Sequence, residues 1–147
     1  MLPSVHNWRV RILATDIDQN MLAMTSQARY SERAVKAVPE AYRRRHLIQA
    51  GDEYVVHPET AAMVVSRHLN LHDRSAMREM RNFDFIFCRN VLIYFDDASR
   101  KAAVDHFYNA LNEGGYIFLG HSESIGRISN AFKLTRVAQH LVYRKAA

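Results

Sequence analysis

Phe83-Asp84-Phe85-Ile86-Phe87-Cys88-Arg89-Asn90-Val91-Leu92-Ile93-Tyr94-Phe95-Asp96-Asp97 is the stretch on which the fold turns. Phe83 to Cys88 is short, aromatic and apolar, and reads as a buried strand. The apolar segment Val91 to Phe95 follows it. Asp96-Asp97 then opens a helix, because an acid at that position accepts the free N–H groups of a first turn. Ala103, Val104, Phe107, Ala110 and Leu111 share one face of that helix to about Asn112. Gly114-Gly115 is expected to end it, as a glycine after a last turn does. Tyr116 to Leu119 is the next strand and Gly120 to Ser124 the turn after it. Phe132 to Leu134 and His140 to Arg144 form a final pair of strands joined by a turn near Val137.

Working back toward the amino terminus, Arg9 to Thr15 is a β-rich run. It ends at Asp16-Ile17-Asp18, a strand-to-helix turn. Gln19 to about Arg29 is helical, with Met21, Leu22, Met24 and Ala28 as a partial apolar face. Pro39 precedes a helical segment from Glu40 to Arg45, and Gly51-Asp52 marks a turn. Tyr54 to Val56 and Met63 to Val65 read as short strands on either side of Pro58. Strands linked by helices and closed by a hairpin predict an α/β fold, a mostly parallel sheet with one antiparallel edge. Trp8, Met21, Met24 and Met63 are expected to fill the core.

The 147 residues are 48% hydrophobic and 24% charged, which suits one globular domain and excludes a mainly disordered chain. Cys88 is the single cysteine, so a disulfide framework and a cysteine-based zinc site are excluded. No apolar run approaches the ~20 residues that cross a bilayer, and MLPSVHNWRVR has no stretch of signal-peptide length. A cytoplasmic protein without membrane insertion is expected. Twenty Lys and Arg against fifteen acids give a net charge of +5, compatible with a nucleic acid, an acidic protein surface or an anionic small molecule. The dense basic run is Tyr42-Arg43-Arg44-Arg45-His46. A solvated helix face is its simplest reading, and no interleaved aromatics support nucleic-acid binding.

Ligands of open α/β sheets bind beyond the carboxyl ends of the strands. The turns there hold Asp16 and Asp18, Asn70-Leu71, Cys88-Arg89-Asn90 with Tyr94, and His121-Ser122-Glu123. A carboxylate at a strand end accepts both hydroxyls of a ribose, and an Asn amide pairs with an adenine edge. Each residue also has a plainer reading. Asp18 is a helix cap, and Asp16 stands between cap and ligand. Cys88 is a buried apolar residue, Arg89 an ion-pair partner of Asp16 or Glu123, and Tyr94 a core aromatic. His68 and His72 have a metal-like spacing, but the segment leaves a strand and offers no third ligand. Gly120 to Ser124 lacks the last glycine of a hydrolase elbow.

Taken in order, Ile12 to Asp18, Asn70-Leu71, the block Phe83 to Phe95 and Gly120-His121-Ser122-Glu123 resemble the CheR family of chemotaxis receptor methyltransferases, over nearly the whole chain from about Val10. The resemblance implies a Rossmann-like, S-adenosylmethionine-dependent methyltransferase sheet. It implies transfer of a methyl group from S-adenosylmethionine to glutamates on the acidic cytoplasmic helices of chemotaxis receptors. On that basis Asp16 binds the ribose hydroxyls, Asn70 and Leu71 frame the adenine, and Cys88, Arg89 and Asn90 lie beside the cofactor. Tyr94 and Arg89 act at methyl transfer, and no metal is implied. A glutamate, with pKa ~4.3, is already ionised at neutral pH, so its methylation needs alignment rather than a base.

Members of that family carry a helical amino-terminal domain and a central first strand followed by a glycine-containing loop. Neither is found in this sequence, whose glycines are Gly51, Gly114, Gly115, Gly120 and Gly126. Residues 1–147 are therefore expected to be a partial methyltransferase domain, a carboxyl-terminal fragment inactive alone. A small β subdomain is expected at about 34–67. Strand edges left without a neighbour favour self-association. The alternative function is a non-catalytic protein-interaction module that retains the fold.

Overall fold

Asp18 decides where the first helix begins. Its carboxylate accepts the N–H of Asn20 at 2.7 Å and caps α1 (Gln19–Gln27). The computed structural model describes residues 8–126 and 128–146. The chain forms two compact units that divide between Leu69 and Asn70.

In the first unit β1 (Ile12–Asp16) pairs in parallel with β5 (Val64–His68), Ile12 opposite Val64 and Asp16 opposite His68. The helix α1 packs against both strands. It stops at Ala28, whose φ of 53° leaves the helical region. Three strands, β2 (Arg29–Ser31), β3 (Leu47–Ala50) and β4 (Glu53–Val56), make an antiparallel sheet in the order β2-β4-β3. Between β2 and β3 in the chain lie α2 (Glu32–Val35) and α3 (Glu40–His46). Pro58 begins α4 (Pro58–Ala61), a single turn leading into β5.

The expectation that Trp8, Met21 and Met24 are core residues fails, since all three are exposed. Two strands offer α1 too little surface to cover a wide apolar face. Among the described residues of this unit only Val35 and Leu69 are buried.

The second unit contains α5 (Arg74–Glu79), α6 (Asp97–Ala110) and a mixed sheet. Its strands β6 (Phe83–Cys88), β7 (Leu111–Leu119), β8 (Phe132–Val137) and β9 (His140–Lys145) are ordered β6-β7-β9-β8. β6 and β7 are parallel, and the remaining pairs antiparallel. The α/β class and the antiparallel terminal hairpin are therefore as expected, with the parallel strands divided between two sheets. Asp96 caps α6 by accepting the N–H of Ser99 at 2.7 Å. Ala103, Val104, Phe107 and Ala110 are buried on the face that periodicity assigned to the core.

Two local expectations are corrected. Helix α6 ends at Ala110, and Gly114-Gly115 lie inside β7 rather than at a helix end. Phe83 pairs with Leu111 but Phe85 with Tyr116, so the intervening residues of β7 bulge. Gly115 sits in that bulge, where a Cβ would come within 2.9 Å of the Asn112 carbonyl and 3.1 Å of that of Asp84. Nor is β6 buried on both faces. Ile86 and Cys88 point toward the core, but Phe85 and Phe87 are exposed, Phe87 by 71%. A continuous apolar run suggests burial on two sides. Here the second face instead carries a ladder of rings, with Phe87 stacked on Phe118 at 4.6 Å.

Candidate active site

The loop after β6 is built around one carboxylate from the loop after β7. Glu123 Oε1 accepts the N–H groups of Val91 at 2.9 Å and Leu92 at 2.8 Å. Its Oε2 accepts those of Asn90 at 2.8 Å and Gly120 at 2.7 Å. Asn90 adopts a φ of 59°, a left-handed conformation that asparagine tolerates. That turn aims three successive N–H groups at one point, an anion nest filled by the protein's own glutamate. Burial would push the Glu123 carboxyl up, but the N–H groups of Asn90, Gly120, Val91 and Leu92 outweigh it and hold the group below its ordinary range. Gly120 is required by the same closeness. A Cβ there would lie 2.6 Å from both Asn90 Oδ1 and Glu123 Oε2, and 3.0 Å from the Asn90 nitrogen.

Next to the nest, the Cys88 thiol is buried and pushed up to about 12, by desolvation first and by the Glu123 charge second. It stays a neutral thiol at physiological pH, which excludes a thiolate nucleophile. Arg89 is exposed. Its expected partner Glu123 spends both oxygens on main-chain N–H groups instead. Tyr94 closes a 3₁₀ turn over Leu92–Tyr94 and is 81% exposed, so its reading as a core aromatic is overturned. Leu92 takes the buried position of that turn. Arg100 secures the turn from α6, donating to the carbonyls of Leu92 at 3.2 Å and Phe95 at 2.8 Å while pairing with Asp97 at 2.9 Å.

Asn70 and Leu71 open the same unit in a tight turn. Asn70 Oδ1 accepts the His72 N–H at 2.9 Å, and the His72 ring packs on Phe95 with centroids 4.7 Å apart. The Asn70 turn thus touches the segment that carries Tyr94. In the first unit, Asp16 stands at the carboxyl end of β1. One of its oxygens accepts the Asp18 N–H at 2.9 Å. The other accepts nothing among the described residues. Capping of α1 falls to Asp18, which leaves Asp16 available to a ligand. His68 ends β5 in the first unit and His72 belongs to the second.

Residues 1–141 match the family described as CheR methyltransferase, SAM binding domain. The chain belongs to that family. It is 38% identical over 144 residues to chemotaxis protein methyltransferase 2 of Vibrio cholerae, covering 97% of this chain and 50% of that protein. Chemotaxis protein methyltransferase 1 of Pseudomonas aeruginosa is 31% identical over 137 residues, covering 92% and 49%. The chain thus spans about half the length of the curated relatives it matches. A solved SAM-dependent methyltransferase from Methanosarcina mazei aligns with a TM-score of 0.38 at 15% identity, over 99% of this chain and 78% of that one.

The polar groups left over in each unit are of kinds that S-adenosylmethionine can use: in the first, Asp16 retains an uncommitted carboxylate oxygen, and in the second the Asn70 amide nitrogen is free of protein acceptors among the described residues. Two residues that organise the site were not assigned by sequence. Glu123 was only one member of a turn, although the adjacency of the Gly120–Glu123 and Cys88–Asn90 motifs after neighbouring strands was a signal. Arg100 had none, because binding of carbonyls eight and five residues upstream leaves no trace in composition.

Proposed function

We propose that the protein containing this chain transfers a methyl group from S-adenosylmethionine to glutamate side chains of chemotaxis receptors, in the cytoplasm. The observation that carries this reading is the Glu123 nest. Glu123, with Arg100, holds the loop through side-chain bonds to its backbone, so Arg89 and Tyr94 face outward without serving packing. In this reading Asp16 holds the ribose, Asn70 and Leu71 frame the adenine, and Cys88, Arg89 and Asn90 border the cofactor. S-adenosylmethionine supplies a methyl group on a positively charged sulfur. With it bound, a substrate carboxylate would take up the methyl group as the carbon–sulfur bond broke, which would leave a methyl ester and a neutral thioether. Arg89 draws the carboxylate in, and the Tyr94 hydroxyl orients it by a hydrogen bond. No proton need be removed, in keeping with a loop that offers no base.

The test is radioactive methyl transfer to a receptor cytoplasmic fragment by the full-length protein, wild type against Tyr94→Phe. The ring survives this change, so turnover should fall about tenfold or more with cofactor affinity little altered. Equal turnover would remove Tyr94 from the reaction. Transfer to no receptor fragment at all would leave the interaction-module reading.

We also propose self-association of the isolated chain. Among the described residues β1 has β5 as its one strand partner and β6 has β7, so each ends its sheet as an edge strand. Phe85, Phe87 and Phe118 add an apolar face beside the β6 edge. Phe87→Asp should shift the light-scattering mass toward the monomer while the melting temperature changes by only a few degrees. An unchanged mass would discard that face as the contact. The inserted subdomain expected at about 34–67 is proposed to be built on the small antiparallel sheet β2-β4-β3, whose first strand begins ahead of those bounds.

A further inference from the structure

The groove between α5 and α6 carries positive charge that the protein does not use. It is a cleft of about 280 Å³ lined by Leu71, His72, Arg74, Ser99, Ala102 and His106, among others. Arg74 lines the groove, and Arg78, four residues further along α5, extends the same helix face beyond the lining. Both are exposed, and neither has a hydrogen bond or ion pair among the described residues. Arg81 is different, since it donates to the Asn109 carbonyl at 3.2 Å and ties the end of α5 to α6. Burial first, and then the charges of Arg74, Arg78 and Arg81 against the opposing one of Asp105, keep the His106 imidazole of α6 below its ordinary range.

The surrounding acids are committed elsewhere. Asp105 pairs with Lys101 at 2.8 Å and Asp97 with Arg100 at 2.9 Å. Asp73 spends its carboxylate on the first turn of α5 and Asp96 on that of α6. Glu79 also has an interaction partner. With Asp73 already capping α5, the attraction exerted here belongs to the guanidinium groups and not to the helix end.

We propose that this groove docks an acidic helical segment of the methyl-accepting protein, with carboxylates four residues apart meeting Arg74 and Arg78. The inference rests on the proposed methylation of receptor glutamates. Matched helical spacing is the reason for preferring a helix, because i and i+4 side chains recur along one face with the same interval on both partners. The position is also suitable. His72 lines the groove and packs on Phe95, the neighbour of Tyr94, so a segment held there runs beside the loop assigned to the reaction.

The probe is a synthetic helical peptide bearing glutamates four residues apart, with a glutamine version as control, titrated into the full-length protein. S-adenosylmethionine affinity and methyl transfer are measured on the same samples. The glutamate peptide should bind in a salt-sensitive way, and the glutamine peptide much more weakly. R74E/R78E should weaken the glutamate peptide about tenfold or more, whereas R45E on the other basic segment should not. The milder R74Q/R78Q serves if the reversal perturbs folding. Equal binding of the two peptides, or undiminished binding by the Arg74 and Arg78 variants, would overturn the proposal. So would a random DNA duplex that binds more tightly and is lost in the same variants. Failure of methyl transfer with peptide binding intact would strike the proposed function and leave the groove standing.

Discussion

Glu123→Gln is expected to be the most damaging single substitution in the chain. The carboxylate accepts four main-chain N–H groups, from Gly120, Asn90, Val91 and Leu92. An amide of the same shape keeps one acceptor oxygen and turns an NH₂ toward two of those donors, which face it with like polarity. Charged hydrogen bonds and stranded donors each weigh 1–3 kcal/mol, and partial solvent access reduces the sum to about 3 kcal/mol. That corresponds to a melting temperature lower by about 10 °C for a chain of this size. Methyl transfer should fall further than stability, because the loop bearing Arg89 and Tyr94 loses its anchor. A thermal melt within a degree or two of wild type would show that the four short distances carry little energy.

The same carboxylate gives a pH signature. Its folded-state pKa is held below the ordinary 4.5, so its stabilisation is fully present above that value. It is lost as the pH falls through the lower folded value. Wild-type stability should therefore decline below about pH 4.5, and Glu123→Gln should show a shallower decline in that window. Equal slopes would mean that other carboxylates govern the acid limb.

What the sequence revealed and what it hid divide along the range of the interactions involved. Local chemistry was legible: Asp18 and Asp96 as caps, the turn at Gly51, the apolar face of α6 and the terminal hairpin all follow from neighbours in the chain. Features set by distant partners were not. Phe85 and Phe87 have the composition of buried residues, and their exposure depends on what lies over β6. Gly114-Gly115 resembles a helix stop, yet Leu111 already pairs with Phe83, and the glycines serve a bulge instead. In the candidate site the residue types were legible because strand ends expose them. Glu123 escaped because its partners other than Gly120 are some thirty residues away in the chain, and all are backbone atoms that every sequence possesses.

Asp16→Ala is expected to separate ligand binding from local structure. Asp16 and Asp18 stand two residues apart in one turn, and either could have been the cap. Asp18 accepts the Asn20 N–H and caps α1, so removing the Asp16 carboxylate costs the turn one exposed hydrogen bond, that from the Asp18 N–H at 2.9 Å. The structural penalty is then about 0.5–1 kcal/mol. A ribose held through the uncommitted oxygen loses a charge-assisted hydrogen bond, or two if both hydroxyls reach it, worth about 2–3 kcal/mol. S-adenosylmethionine affinity of the full-length protein should therefore fall about thirty- to a hundred-fold while the melting temperature drops by only a few degrees. Asp18→Ala should do the reverse, lowering stability by about 1 kcal/mol through the lost cap with affinity nearly kept. Calorimetric titration of the two variants beside their melts reads both quantities. Unchanged affinity in Asp16→Ala would leave that carboxylate as a turn-shaping group and move the ribose to another acceptor.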